Sequence, residues 1–576
     1  MLTASAQRSC KKIRPFGLGI LAVAGCVPGY QHTPIPPCFF ADDPAPECQS
    51  GQGHDGSGTG GGVPTTGTAF PGDGSGGEDS EGLTDGGSDT SEVDAETTTG
   101  GSESSGSVVE VPEIMDLDLD PDAPKSAGPV KVTVQAENAV EVWMTVDDGG
   151  EVALKLVGDE GAEFVGEIAV LGESWNGLHT VSAVARAGEL ESAPWEAMFT
   201  VTAPPAGSEA WLEKSLLTPS YGNAVAVDAQ GDVYELFTYS SNQGERCQIR
   251  RRDQSGAVVW QDDARQVGDV ECIGEDIKVG PDGSLWVLVN TSPDNAVRWE
   301  LWHLDNEAVA LENPKIGSVT HVGKGLDVSA DGDVLLCGTW PGLLEPDDAW
   351  IRLLPSVGEG WTRSWDYVPP GLSPNEIDER ARDCAFVEDR VVVVGEVFGK
   401  LAQNEFESKA RGFILELERN SVKAVEAIMP AEAGWQSGFR AVAPDGSGGY
   451  AAVGHTCNEV IVPCTPTQGL VGWFSLGGQA SGTAPVSKTR WLSDVALSPN
   501  GQVAVAAQAS NDATGVLIQA WAPGMGMPLW TYQGAPSALQ AAYGIAVGPY
   551  AFVYGVGFYL EANNALASGV VKVHPL

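Results

Sequence analysis

Histidine and cysteine come together once in this 576-residue chain, at His455-Thr456-Cys457 followed by Cys464. That cluster invites a metal reading, but no C-x-x-C occurs anywhere and no zinc site is assigned. His321 stands alone in an expected loop and, like His455, has the chemistry of a ligand or a general base. Acidic residues gather at Asp347, Asp348, Glu376, Asp378 and Glu379. They are oxygen donors of the kind calcium takes, yet nothing in their spacing requires the ion. Arg250, Arg251 and Arg252 form the densest basic run, read as a solvated strand edge rather than an anion site. Tyr239, Trp340, Phe398, Phe558 and Tyr559 recur where expected strands end. A rim of aromatics can stack on sugar rings or apolar ligands, while inter-sheet packing is the plainer use of such residues. The expected folded region holds no G-x-S-x-G elbow, no H-E-x-x-H and no Walker loop, nor a G-x-G-x-x-G between strand and helix. No catalytic, cofactor or metal residue is assigned.

The first residues carry chemistry of another kind. Arg8, Lys11, Lys12 and Arg14 precede a short apolar stretch over 16–24, which ends in Val23-Ala24-Gly25-Cys26. This segment resembles the lipobox of bacterial lipoproteins. The resemblance implies removal of residues 1–25 and acylation of Cys26, which anchors the chain by roughly 0.8 kcal/mol per buried CH₂. Val27 in place of Asp implies, by the sorting pattern of such lipoproteins, the outer membrane of a Gram-negative cell, facing periplasm or surface. No later run of 18 apolar residues occurs, so no transmembrane helix is expected. Eight cysteines then remain: Cys38, Cys48, Cys247, Cys272, Cys337, Cys384, Cys457 and Cys464. An even number in an oxidising compartment implies disulfides. Pairing sequence neighbours is the simplest connectivity: 38–48, 247–272, 337–384 and 457–464.

Residues 26–48 are the anchor segment with its Cys pair, and 49–110 are a Gly, Ser, Thr, Asp and Glu linker expected to be disordered. Of the formal charge of −46, much sits here: 17 acidic residues and one basic residue lie between 49 and 125. Such a leash spans roughly 50 Å as a flexible coil. The acidic balance excludes nucleic acid as a partner, because no basic surface is available to neutralise phosphates.

Alternating strands separated by turns follow over 111–204, at 130–136, 140–146, 151–156, 164–170, 179–185 and 197–202. Period-two runs at this spacing indicate a β-sandwich. The run Gly177-Leu-His-Thr-Val-Ser-Ala183 is similar to the penultimate strand of bacterial immunoglobulin-like or fibronectin-III-like domains. Asp116, Asp118, Asp120 and Asp122 are read as the solvated face of a first strand, because an EF-hand's Gly and closing Glu are missing.

From residue 209 the chain repeats. Seven apolar hairpins have turns at 231, 283, 332, 389, 446, 501 and 549, with a period near 53. That is a propeller pattern. A third strand follows each hairpin. A fourth follows only six of them, at places such as 258–260, 363–365, 489–491 and 529–530. The missing strand is found at 209–213, which is expected to complete the last blade and close a seven-bladed ring over 209–576. The unit Asp253-Gln-Ser-Gly-Ala-Val-Val-Trp260 resembles the repeats of quinoprotein-like and outer-membrane-assembly-type propellers. The fold class is therefore all-β: linker, immunoglobulin-like sandwich, seven-bladed propeller.

Second-to-third and fourth-to-first connections are long, for example 341–349, 455–468 and 366–382, and emerge at one end of a propeller. The expected role is a lipid-anchored, monomeric, non-catalytic binding scaffold for protein or glycan at the envelope, acting through that end. The alternatives are a propeller hydrolase, lyase or quinoprotein-like oxidoreductase working in the central channel, and an envelope assembly scaffold.

Overall fold

The computed structural model describes residues 110–575 apart from short stretches, of which 263–270, 367–376, 400–408, 429–435 and 458–467 are the longest. The leader, Cys26, Cys38, Cys48 and the linker up to 109 lie outside the described residues. Among those described there is no α-helix, and none therefore long and apolar enough to cross a membrane.

The alternation over 111–204 becomes two antiparallel sheets. One orders Glu113–Asp120, Gly128–Glu137, Glu163–Val170 and Lys155–Val157. The other orders Val152–Ala153, Glu141–Val146, Gly177–Ala187 and Leu190–Glu191, with Trp195–Val201 also pairing Gly177–Ala187. Successive side chains point to opposite faces, so Val130, Val132 and Val134 meet Val142, Met144, Val181 and Phe199 in one core. On Glu113–Asp120, Leu117 and Leu119 turn into that core, while Asp116, Asp118 and Asp120 face solvent.

Beyond residue 209 the sheets repeat, each with spatial order equal to chain order. The first runs Ser220–Val227, Val233–Ser241, Gly244–Arg252 and Val258–Asp262. The second runs Cys272–Val279, Leu285–Thr291, Arg298–Leu304 and Lys315–Ile316, and the third Val322–Val328, Val334–Trp340, Asp348–Leu354 and Trp361–Trp365. The fourth runs Ile377–Val387, Arg390–Gly399, Lys409–Glu418 and Ala424–Ile428, and the fifth Gln436–Pro444, Gly449–Cys457, Gln468–Ser475 and Ala480–Val486. The remaining strands share one eight-stranded sheet. In it Thr489–Leu497, Ala504–Ser510, Leu517–Trp521 and Trp530–Gln533 join Ala541–Val547, Val553–Leu560 and Leu566–Val573 through a single pairing, Ala509 with Ala541. Glu209–Lys214 lies antiparallel on Leu566–Val573, so the first strand after the linker finishes the sheet of the last.

The first strands pack on one another in chain order, and Ala541–Val547 packs back on Ser220–Val227, closing a ring. This is a β-propeller arrangement, with a core between each sheet and the next. Tyr234, Leu236 and Ile249 of the first sheet meet Ile277, Val287 and Trp302 of the second. Leu285–Thr291 is buried along its whole length because a sheet covers each of its faces. Each fully buried Val or Leu there contributes about 1.5–3 kcal/mol. Hairpin turns depend on left-handed residues: Gly231 and Gly283 have φ of 85° and 80°, open to glycine at no steric cost.

One expected strand moves. Residues 489–491 do not form a fourth strand. Thr489–Leu497 is the first strand of the following set, pairing Ala504–Ser510, and Ala480–Val486 supplies the fourth strand of the fifth sheet. The apolar residues either side of 491 fit both assignments, and the pairing decides between them.

Candidate functional site

Every first strand carries a register shift near its middle that leaves one residue unpaired: Asn223, Glu275, Lys324, Arg382, Arg440, Ser493 or Tyr543. A bulge of this kind re-aims a side chain. All seven are polar and keep part of their surface open, while the residue before each is buried. They form the inner wall of the ring. Glu275 accepts from Asn290 Nδ2 at 2.6 Å and lies 3.4 Å from Lys324 Nζ in the next sheet. Arg382 pairs with Glu396, beside Arg440 and His455. Burial works to raise the Glu396 carboxyl, but Arg382, Arg440 and His455 outweigh it and hold it well below the usual range. Burial, with Arg440 beside it, pushes His455 down to about 3, so it is neutral at ordinary pH.

Further along the strands stand four aspartates. Each accepts its own following N–H and one from the first strand of the next set. Asp276 holds Ile277 and Leu326 at 2.8 and 3.1 Å; Asp327 holds Val328 and Phe386 at 2.9 and 2.7 Å. Asp383 holds Cys384 and Val442 at 2.8 and 2.9 Å; Asp494 holds Val495 and Ile545, both at 2.8 Å. These staples tie neighbouring sheets together at the ring's centre. Burial raises all four carboxyls, Asp494 to about 6. Lys278 lies among them, 3.4 Å from Asp276, with 39 % of its side-chain surface open. Burial works against its ammonium, and the four carboxylates outweigh burial and hold its pKa above the ordinary lysine value.

The candidates read from the sequence fare unequally. Cys247 and Cys272 are bonded, joining the third strand of the first sheet to the first strand of the second. Cys337 and Cys384, expected as a disulfide, are instead two buried thiols hydrogen-bonded to each other across neighbouring sheets. Cys464 and the side chain of Cys457 lie outside the described residues, as does Glu376. Asp347 is ion-paired with Arg380 at 3.1 Å and its N–H is held by Asp378, while Glu379 is fully buried. Among the described residues no group of acids and histidines has the geometry of a metal site.

Arg250–Arg252 overturns the solvated reading. Arg250 and Arg252 are 5 % and 4 % exposed and share the carboxylate of Glu235, itself 1 % exposed. Arg251 points the other way, 2.6 Å from Asp232. The physical reason is register: Glu235 is the strand partner of Arg250, so alternation brings Arg250 and Arg252 to the face of Glu235 and turns Arg251 to the other.

The aromatic rim also thins. Tyr559 is buried, its hydroxyl donating to the Ser215 carbonyl at 3.2 Å beneath Lys214, and it forms no rim. Tyr239 is half-buried. So are Phe398, packed on Ala410, and Phe558, stacked on Tyr543 at 5.8 Å. Trp340 alone of the five stands exposed. At the same end Glu245 is pushed up to about 7 by burial and by Glu271. The bulge residues had escaped the sequence reading, although a signal recurs: a polar residue between small or acidic ones, as in Gly222-Asn223-Ala224, Gly274-Glu275-Asp276 and Ala381-Arg382-Asp383.

No protein-family model matches the chain, and no curated protein matches it. Among solved structures the chain is similar to hydrazine synthase of Kuenenia stuttgartiensis, at 13 % identity over 62 % of this chain and 96 % of that one, with TM-score 0.39. A polysaccharide lyase is 11 % identical over 62 % and 90 %, with TM-score 0.42. Regucalcin of Agrobacterium tumefaciens, a calcium-binding protein, is 14 % identical over 53 % and 91 %, with TM-score 0.29. These likenesses carry no activity or ligand over to this chain.

Proposed function

We propose that this chain is an envelope binding protein, anchored by lipid on Cys26, held off the membrane by the 49–110 linker and an immunoglobulin-like spacer. Its ligand surface is the long-connection end of a seven-bladed propeller, counting the eight-stranded sheet as two blades joined by one pairing. The observation that carries the reading is the row of bulges. Each first strand turns one polar, partly open side chain onto the inner wall at mid-strand, so that varied groups line the ring behind its long-connection end. Protein or glycan partners at the envelope fit such a surface.

A photo-cross-linking residue at Val319, in the fourth-to-first connection 317–321, is expected to capture a partner in cells. The same residue at Val357, in a third-to-fourth turn at the other end, is expected to capture none. Adducts from Val357 alone would reverse the assignment. Mass spectrometry of the first mature peptide checks the anchor: an unacylated Cys26 would refute it.

One observation favours a catalytic reading. Asp494, at about 6, lies where a carboxyl can exchange protons near neutral pH. Its two backbone N–H bonds argue for the stapling role instead.

A further inference from the structure

We propose that Trp340 is a stacking platform for a neutral pyranose sugar in a glycan chain; this rests on the reading of the long-connection end as the ligand face. Trp340 ends the strand Val334–Trp340 and is 41 % exposed. Its orientation is set before any ligand arrives. Nε1 donates to Thr320 Oγ1 at 2.9 Å, and one face of the indole lies on the His321 ring, with centroids 5.1 Å apart and planes 15° from parallel. His321 is backed by the edge of Trp350, which stacks in turn on Trp299. Burial pushes His321 below its usual value, so the support is a neutral ring at ordinary pH. An aromatic ring fixed in this way loses little freedom on binding.

Thr320 is the second observation. It has φ of 75°, a left-handed conformation that a β-branched residue adopts only under constraint. The backbone there is clamped, Thr320 N–H donating to the Val297 carbonyl and Trp299 N–H to that of His321. The strained residue is the one that supplies the acceptor for the indole. Exposed Val297 and Val319 flank it, extending the apolar surface.

The polar surroundings select the sugar. Asp348 is the strand partner of Trp340, so their side chains share a face. Its carboxylate accepts hydrogen bonds from sugar hydroxyls, and the chain's formal charge of −46 disfavours an anionic polymer. A sugar with a flat apolar face and free hydroxyls fits; a uronic acid polymer does not.

Affinity electrophoresis of the full-length protein in gels containing laminarin, dextran, galactomannan or alginate tests this. Retardation is expected in at least one neutral gel and not in alginate. Trp340→Ala should weaken binding at least tenfold and Trp340→Phe a few-fold. Thr320→Gly relaxes the left-handed backbone while removing the acceptor, so it should weaken binding without lowering the thermal midpoint. Unchanged binding in both Trp340→Phe and Thr320→Gly would overturn the proposal even where Trp340→Ala misfolds. So would retardation by alginate alone, or by no neutral polysaccharide. Cross-linking through Val319 that survives such a result would leave the long-connection end as the ligand face, with the platform refuted.

Discussion

The aspartates of the inner wall set the response of the fold to pH. Asp494 holds its proton up to about 6 when folded, against an ordinary value of 3.8. A carboxyl raised in the folded state contributes stability that is full below its unfolded pKa and is lost as pH rises through the folded one. Urea midpoints are therefore expected to rise between pH 7 and pH 5. Asp276, Asp327 and Asp383 act in the same direction, and His455, held neutral by burial, acts against them below its ordinary value. Comparison with Asp494→Asn isolates the one group: the variant should show a shallower slope, and an identical slope would refute the assignment. None of these carboxylates was legible as a set in the sequence. Their partners lie 50 or more residues on, in the next first strand, and only the closed ring brings Asp276 to Leu326 or Asp383 to Val442.

At the scale of elements, the hairpins were legible and the pairing across them was not. Turns such as that at Gly231 declare themselves because only a few residue types accept a left-handed backbone. Three arginines in a row, by contrast, read as solvated when the acid that answers them is 15 residues away on the neighbouring strand. Strand alternation and hairpin register together bury that acid, Glu235, with Arg250 and Arg252. Glu235→Ala leaves two buried guanidinium groups short of their shared counter-charge. It is expected to cost about 3–5 kcal/mol in urea unfolding. A loss below 1 kcal/mol would mean that Gln261, Ser215 and the Gly256 carbonyl suffice to hold the arginines. Thr489–Leu497 teaches the same lesson, since its residues suit either of two neighbouring sheets.

For the whole molecule, the strand count points to a closing strand at 209–213, and Glu209–Lys214 pairs with Leu566–Val573. Six fourth strands for seven hairpins require one more strand from elsewhere. Leu212, paired with Val571 and packed between the last sheets, is the place to test it. Leu212→Asp sets an unpaired carboxylate against that packing and should broaden the unfolding transition and promote association through the bared edge of Leu566–Val573. A sharp, unshifted transition in a monomeric variant would show that the seam is dispensable.

That seam also decides how load travels. Under the proposed anchoring, the cell holds the chain by its beginning and a ligand holds it by the far end of the ring. Tension entering past residue 208 meets Glu209–Lys214 before any other part of the propeller. Its pairs with Gly569, Val570, Val571, Lys572 and Val573 stand in series between membrane and cargo. The short strand that completes the ring is thus also its mechanical coupling. The grip on a captured partner can be no stronger than that clasp.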